Sequence, residues 1–411
     1  MKILSIETSC DETAAAVVES TSDKSFVKLL SQSLATSLSQ HAQTGGIIPE
    51  MAAREQIKCI IPVIYEALEK ANLLPKEVEG PADAQRNAVK RASAGGAAFA
   101  KQVSLGRNDR QDPEKIFTPN IDAIAVTYGP GLIGSLLVGV ETAKTLSYVW
   151  NKPLIPVNHL FGHIYANWID LSLSEENQQA FQPPSFPAIA LVVSGGHTDL
   201  VLMKSHTNIT WLGGTRDDAA GECFDKCARL LGYQYPGGPK ISQLAEKGNA
   251  KNFLLPRPMI GSHDSNFSFS GLKTAFLNAT RQNFPILRTT SEKIGWQQIA
   301  FEETLDEQKK QILYDLCASL QEAIVAVLVK KTIQAAEKFH VKSILLSGGV
   351  AANQKLVDTF KQKIANQNFK LFVPSKNLCT DNAAMIGAAA FFRKKITDWG
   401  NLTANPQLYF D

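Results

Sequence analysis

Residues 3–18 read ILSIETSCDETAAAVV: a short apolar run, a polar turn, then a second apolar run. Residues 188–203, AIALVVSGGHTDLVLM, repeat the same grammar. A strand–turn–strand unit opening each half of a 411-residue chain predicts two similar lobes with a cleft between them. A third segment, Ser343 to Asn353 (SILLSGGVAAN), reads as strand, glycine turn and helix start, where backbone N–H groups can receive an anion. Helical periodicity is clear from Glu50 to Leu73, with apolar residues at 57, 60, 61, 64 and 68, and from Leu313 to Phe339, which leads into the strand 343–347. Helix, strand, glycine loop and helix in succession is α/β grammar.

The bulk composition fits a globular chain. Hydrophobic residues make up 44% and charged residues 20%, and the net charge of +3 is too balanced to argue for nucleic-acid binding by itself. The six cysteines are scattered apart from Cys223 and Cys227, whose i,i+4 spacing has no second pair to complete a zinc cage, so reduced thiols are expected. The N-terminus enters a strand at once, without a signal or transit pattern, and no window approaches 18 unbroken apolar residues. A cytoplasmic protein with no membrane span is the expectation. Residues 78–118 break the pattern: from 83 to 115 there are seven Lys or Arg against four Asp or Glu and few apolar anchors, as in a surface insertion.

Several groups of residues could carry chemistry. In His159-Leu160-Phe161-Gly162-His163, helical spacing would put both imidazoles on one face, which suits a transition metal. A zinc protease needs a Glu after the first His as general base, and here that position is Leu160. Cys379-Thr380-Asp381-Asn382 precedes an alanine-rich helix and offers either a helix cap or an oxygen ligand. The glycine turns Gly129-Pro130-Gly131, Ser194-Gly195-Gly196, Gly237-Gly238-Pro239 and Ser347-Gly348-Gly349 together suggest phosphate cradling. Asp217 to Lys226 masses carboxylates, either as a solvated helix start or, through Asp225, as a partner for ribose hydroxyls. Asp11 and Glu12 either form the first turn or aid proton transfer. Phe267 to Thr274 alternates aromatics and hydroxyls with a Lys, compatible with a short strand, base stacking or a phosphate contact.

Taken together, the stretches IETSCDET, HAQTGGIIPEMAAR, GPGLIGSLLVG, PVNHLFGH, LVVSGGHTDL, DDAAGECFDK, YPGGP, FSFSGLKT, SGGVAAN and CTDNAAM closely resemble the tRNA N6-adenosine threonylcarbamoyltransferase family, once labelled O-sialoglycoprotein endopeptidases. They run in that family's order from residue 6 to residue 385. The resemblance implies an actin-like α/β fold with ligand between two lobes. The expected division is residues 1–155 with the insertion, residues 156–385, and a tail from 386 to 411 returning to the first lobe. It implies a divalent metal, Fe2+ or Zn2+, on His159, His163 and Asp381. It implies an adenylate site for threonylcarbamoyl-AMP, also open to ATP or ADP, at Val192, Val193, Ser194, Gly195, Gly196, Asp225, Gly238 and Asn353. Asp11 and Glu12 match the family's acidic pair and are the candidate catalytic groups.

The implied reaction moves threonylcarbamoyl from its adenylate to the N6 amine of the adenosine 3′ of the anticodon, in tRNAs that read ANN codons. The implied partners are tRNA, a companion paralogue of the same fold, a small P-loop ATPase and the synthase that makes the adenylate. Two positions depart from the family pattern: Asn158 where a second His usually precedes the first metal His, and Gln56 where the helix motif usually carries a His two positions after its Arg. A small-molecule kinase of the same fold has no obvious use for two histidines and an aspartate. A non-catalytic scaffold of the same complex would not need to retain them.

Overall fold

The computed structural model describes residues 1–37, 47–74, 117–171, 181–284 and 301–410. Nearly all of the stretch 78–118 lies outside the described residues, as does the start of the motif beginning at His41. In chain order the elements are β1 (Lys2–Glu7), β2 (Glu12–Ser20), β3 (Val27–Thr36), α1 (Pro49–Lys70), β4 (Ala123–Gly129), α2 (Ile133–Trp150), β5 (Leu154–Asn158), α3 (His159–Tyr165) and β6 (Ile169–Asp170). Then follow β7 (Ala188–Val193), β8 (Thr198–Met203), β9 (Ile209–Gly214), α4 (Ala220–Leu230), α5 (Gly238–Ala245) and α6 (Ser270–Asn283). The last are α7 (Glu307–Lys338), β10 (Ser343–Ser347), α8 (Gln354–Ile364), β11 (Lys370–Phe372), α9 (Lys376–Cys379) and α10 (Ala383–Phe392).

Among the described residues the chain forms two compact units, one from residues up to 183 together with 381–410, the other from 184–380. The expected division at 155/156 and 385/386 differs from this grouping. The His-bearing helix α3 belongs to the first unit, and the chain returns there at Asp381, before the alanine-rich helix begins.

The internal echo is a duplicated sheet. In the first unit the strand order is β5-β4-β1-β2-β3-β6, and in the second it is β11-β10-β7-β8-β9. Counted from each unit's own first strand, both contain the order 5-4-1-2-3. The directions also agree: β1–β2–β3 and β7–β8–β9 are antiparallel meanders, while β4 and β10 pair parallel with the first strand of their unit. The quoted stretches form the opening hairpins, with Glu7 opposite Ala14 and Val193 opposite Thr198.

Strands buried on both faces explain the nearly unbroken apolar runs AIALVV and AAAVV. In the first unit α1 buries Ala52, Gln56, Ile60, Val63, Ile64, Ala67 and Leu68. Ile57, assigned to the apolar stripe from its spacing, is 64% exposed, because the buried stripe runs one residue earlier through Gln56. In the second unit α7 is the core helix, and it accounts for the periodicity from Leu313 onward. It is long and apolar enough by composition to cross a membrane, but 78% of its most apolar window is buried within the protein, as in a core helix.

Candidate metal centre and adenylate loops

The candidate metal centre is built entirely within the first unit. Asn158 caps α3: its Oδ1 accepts from Leu160 N–H at 2.8 Å, and its Nδ2 donates to the Tyr409 carbonyl at 2.5 Å. One helical turn then places His159 and His163 on one side, with ring centroids 4.6 Å apart. Of the three residues able to cap α10, Asn382 does so, its Oδ1 accepting from Met385 N–H at 2.9 Å. The neighbouring Asp381 carboxylate is therefore left to face the histidines. Its Oδ1 lies 3.5 Å from His159 Nε2 and 3.2 Å from His163 Nε2.

Two glycines set this approach. A Cβ at Gly162 would come within 2.7 Å of Ile386 Cδ1, so its absence lets α3 lie against α10. A Cβ at Gly387 would meet Val18 Cγ2 at 2.6 Å, so α10 sits directly on the β1–β2 hairpin. Ser5 Oγ fastens that contact by donating to the Ala383 carbonyl at 2.6 Å.

A divalent ion with tetrahedral bonds of about 2.1 Å separates neighbouring donor atoms by about 3.4 Å. The observed 3.2 and 3.5 Å bracket that edge, and one donor atom from each of the three residues falls within 4.8 Å of the others. Two imidazoles and a carboxylate leave a fourth position open, and the exposed side is that of Asp381, whose side chain is 22% exposed against 1% for His163. The residues fit such an ion.

Carboxyl groups crowd the centre and perturb one another. Burial, then Asp381 and Asp11, push the Glu12 carboxyl up to about 10. Burial and the same two carboxylates also raise the Cys10 thiol. Burial opposes a charged His159, but Glu7 and Asp381 outweigh it and hold the imidazole well above its usual range. Burial likewise opposes ionisation of Asp381, yet His159 and His163 keep it well below the ordinary carboxylate range. An excess of buried carboxylate beside two imidazoles is the electrostatics of a cation site.

The acid turn that carries Asp11 and Glu12 lies in the same unit and is pinned through its carbonyls. Gln56 Nε2 reaches the carbonyls of Thr8 (3.3 Å), Cys10 (3.0 Å) and Glu12 (3.0 Å). Leu132 N–H donates to Ser9 O at 2.8 Å, Ser135 Oγ to Cys10 O at 3.0 Å and Ser37 Oγ to Asp11 O at 2.9 Å. The turn Gly129-Pro130-Gly131 also belongs here. Gly131, with φ +155°, packs against Ser9, where a Cβ would meet the Ser9 carbonyl. Within the first unit it is a packing turn.

In the second unit those loops are brought together. The Ser194–Gly196 turn follows β7, and Gly221 at the start of α4 packs on Ser194 O, its N–H donating there at 3.2 Å. Gly348, with φ +89°, packs against Val193, a close approach and a backbone conformation that both suit glycine. Gly195 and Gly196 face open space and are exposed, so their backbone can meet a ligand. Val192 and Val193 are wholly buried sheet residues. Asp225 Oδ1 accepts from Gly237 N–H (2.7 Å) and Gly238 N–H (3.1 Å), bracing that turn, and burial raises its carboxyl despite these bonds. Asn353 is committed to structure: Oδ1 caps α8 through Leu356 N–H (3.0 Å), while Nδ2 donates to Ser242 Oγ and Gln321 Oε1, both at 2.8 Å.

The Phe267–Thr274 stretch does not present its aromatics. Phe267 and Phe269 are fully buried in the core, which excludes base stacking on them. Asp217 receives Phe269 N–H at 2.7 Å and Ser270 N–H at 3.2 Å, and Lys273 pairs with Asp218 at 3.0 Å.

The chain matches the TsaD profile, tRNA N6-adenosine threonylcarbamoyltransferase, over residues 28–85 and 115–388. The chain belongs to this family. It is 44% identical over 395 residues to the tRNA N6-adenosine threonylcarbamoyltransferase of Thermomicrobium roseum, covering 95% of this chain and 92% of that one. It is 41% identical over 411 residues to that of Bacillus subtilis, covering 99% and 95%. Among solved structures, it is similar to component A of the Acidaminococcus fermentans (R)-2-hydroxyglutaryl-CoA dehydratase, at 12% identity and a TM-score of 0.44 over 96% of this chain and 98% of that one.

For this threonylcarbamoyltransferase family member, the match leaves out 86–114, inside the stretch set apart as an insertion. Its two departures from the family pattern are both structural hydrogen-bonding residues here: Asn158 caps α3, and Gln56 ties down the acid turn. The residue missed at the centre is Glu7, wholly buried at the end of β1 and bonded to His159. Its signal was a lone carboxylate closing the apolar run ILSIE.

Proposed function

We propose that this acyltransferase moves threonylcarbamoyl from threonylcarbamoyl-AMP to the N6 amine of the adenosine 3′ of the anticodon in tRNAs reading ANN codons, releasing AMP. The observation that carries this is the convergence of His159, His163 and Asp381 within a chain of this family. Each duplicated sheet is read as one lobe of an actin-like fold. The protein acts in the cytoplasm, with tRNA, a companion paralogue, a small P-loop ATPase and the adenylate synthase as partners.

An adenine amine is a weak nucleophile because its lone pair is delocalised into the ring, so placement and charge stabilisation must supply the rate. The open backbone of Gly195 and Gly196 donates N–H groups to the adenylate phosphate. Asp225, Gly238 and Asn353 brace the surrounding loops rather than all touching ligand, since Asn353 already has partners at both side-chain polar atoms. His159, His163 and Asp381 would hold Fe2+ or Zn2+, a Lewis acid for the charge that develops on the substrate. Asp11 takes the proton from the amine, and Glu12 completes the acidic turn.

Asp381→Ala is expected to abolish bound metal and transfer together while the protein stays folded, read by elemental analysis and an assay on one preparation. Full transfer from a metal-free Asp381→Ala protein would contradict the assignment.

A further inference from the structure

The two histidines of the centre are not equivalent. The Glu7 carboxylate, fully buried, is fixed by two donors: Ser9 N–H to Oε1 and Thr127 Oγ1 to Oε2, each at 2.5 Å. It receives the Nδ1–H of His159 on Oε2 at 3.0 Å, and Ser9 Oγ lies 3.2 Å from the same nitrogen. His163 Nδ1, equally buried, has no hydrogen-bond partner among the described residues. One imidazole is therefore fixed in ring angle with a proton on Nδ1, and the other, among the described residues, is held by packing and by Asp381.

We infer that Glu7 is a positioning residue for the metal centre, orienting His159 so that Nε2 presents its lone pair and raising the basicity of that nitrogen, whereas His163 has no such support. The inference rests on the metal-centre assignment above. Its physical basis is general: a carboxylate hydrogen-bonded to the far nitrogen of a ligating imidazole fixes the tautomer and strengthens the ligand, and losing it weakens metal binding by about 10- to 100-fold. Thr127 extends the chain by one link. It is wholly buried on β4, next to β1, and its hydroxyl has the Glu7 carboxylate as acceptor. Among the described residues Glu7 bonds to the candidate ligands through His159, so its role is to position that imidazole.

The test is Zn2+ affinity of the full-length protein, measured by competition with a chromophoric chelator, for wild type, Glu7→Gln and Thr127→Val. Glu7→Gln keeps the shape and an acceptor but removes the charge, and is expected to bind Zn2+ about 10- to 100-fold more weakly. Thr127→Val leaves the carboxylate in place and removes one of its anchors, so a smaller weakening is expected. Thr127→Ser should restore wild-type affinity. NMR of nitrogen-labelled histidine supplies a signal that a purely structural role would not move: apo wild type should show a slowly exchanging, downfield His159 Nδ1–H held by the Glu7 carboxylate, and Glu7→Gln should shift that proton upfield and speed its exchange. Folded Glu7→Gln with wild-type affinity overturns the inference. If Glu7→Gln fails to fold, Thr127→Val decides, and unchanged Zn2+ binding in that variant overturns it equally. Failure of the wild type to bind Zn2+ or Fe2+ would instead overturn the metal-centre assignment, a distinct outcome.

Discussion

Gly162→Ala tests whether the contact between α3 and α10 sets the metal centre. The added Cβ would lie 2.7 Å from Ile386 Cδ1 and 3.2 Å from Met385 Cγ. Both side chains are fully buried, so neither can swing into solvent. Restoring ordinary contact at 3.4 Å takes 3.4 − 2.7 = 0.7 Å, shared between a turn of the buried Ile386 Cδ1 methyl and a parting of the helices at that point. Overpacking of this kind costs about 1–3 kcal/mol, while replacing a helical glycine by alanine returns up to about 1 kcal/mol. Net stability should then fall by only about 0–2 kcal/mol. Metal affinity is the sharper readout. His159 and His163 flank Gly162, and Asp381 begins the segment that carries Met385 and Ile386. Even half of that 0.7 Å, taken up by the helices, carries the 3.2 and 3.5 Å donor separations away from the tetrahedral edge, beyond the roughly 0.2 Å tolerance of metal–ligand distances. Chelator competition should show at least about tenfold weaker Zn2+ binding, with thermal unfolding as a parallel measure. Ile386→Val removes the clashing Cδ1, so Gly162→Ala/Ile386→Val should recover most of the affinity, a coupling that independent sites would not show. Wild-type affinity in Gly162→Ala, or no recovery in the double variant, would refute the reasoning.

Three further outcomes are expected. Gln56→Glu sets a carboxylate against three carbonyl oxygens of the acid turn and should lower kcat by about tenfold or more with Zn2+ content unchanged; unchanged kcat would show that the turn does not depend on this clamp. Asn353→Ala removes the α8 cap and both Nδ2 bonds, and should cost about 2 kcal/mol in denaturant unfolding; a loss below about 0.5 kcal/mol would contradict the structural role. Burial works against an ionised Asp217, but bonds from Ser268 Oγ, Phe269 N–H, Ser270 Oγ and Ser270 N–H prevail and lower its carboxyl. A depressed folded value means that this stabilisation is present above the unfolded value of about 3.9 and is lost as pH falls below it. Asp217→Asn should therefore flatten the acid limb of the stability–pH curve, and an identical limb would exclude the effect.

Much of the fold could be read from two stretches. Polar turns between apolar runs at 3–18 and 188–203 became the opening hairpins of two sheets with one shared strand order. The histidine pair and Asp381 were visible as residue types, because i,i+4 spacing on a helix is a local property. What spacing could not convey was which faces meet. Nothing in IVAVLV or FSFS distinguishes a core segment from an exposed one, so Phe267 and Phe269 were open to a stacking role that their burial excludes. Ile57 looked like part of a stripe that turned out to be centred on Gln56, a polar residue buried because three carbonyls await its amide. Glu7 was passed over for the same reason. Its role depends on Thr127 and His159, 120 and 152 residues away, and no local pattern records that encounter.

The central claim is met most directly by supplying unmodified tRNA with labelled threonine, bicarbonate and ATP, together with the adenylate synthase, the companion paralogue and the P-loop ATPase, and reading the nucleosides by mass spectrometry. Threonylcarbamoyladenosine should form with the wild-type chain and vanish with Asp381→Ala. Absence of product from the wild type, with the same partners active alongside another transferase of the family, would contradict the account.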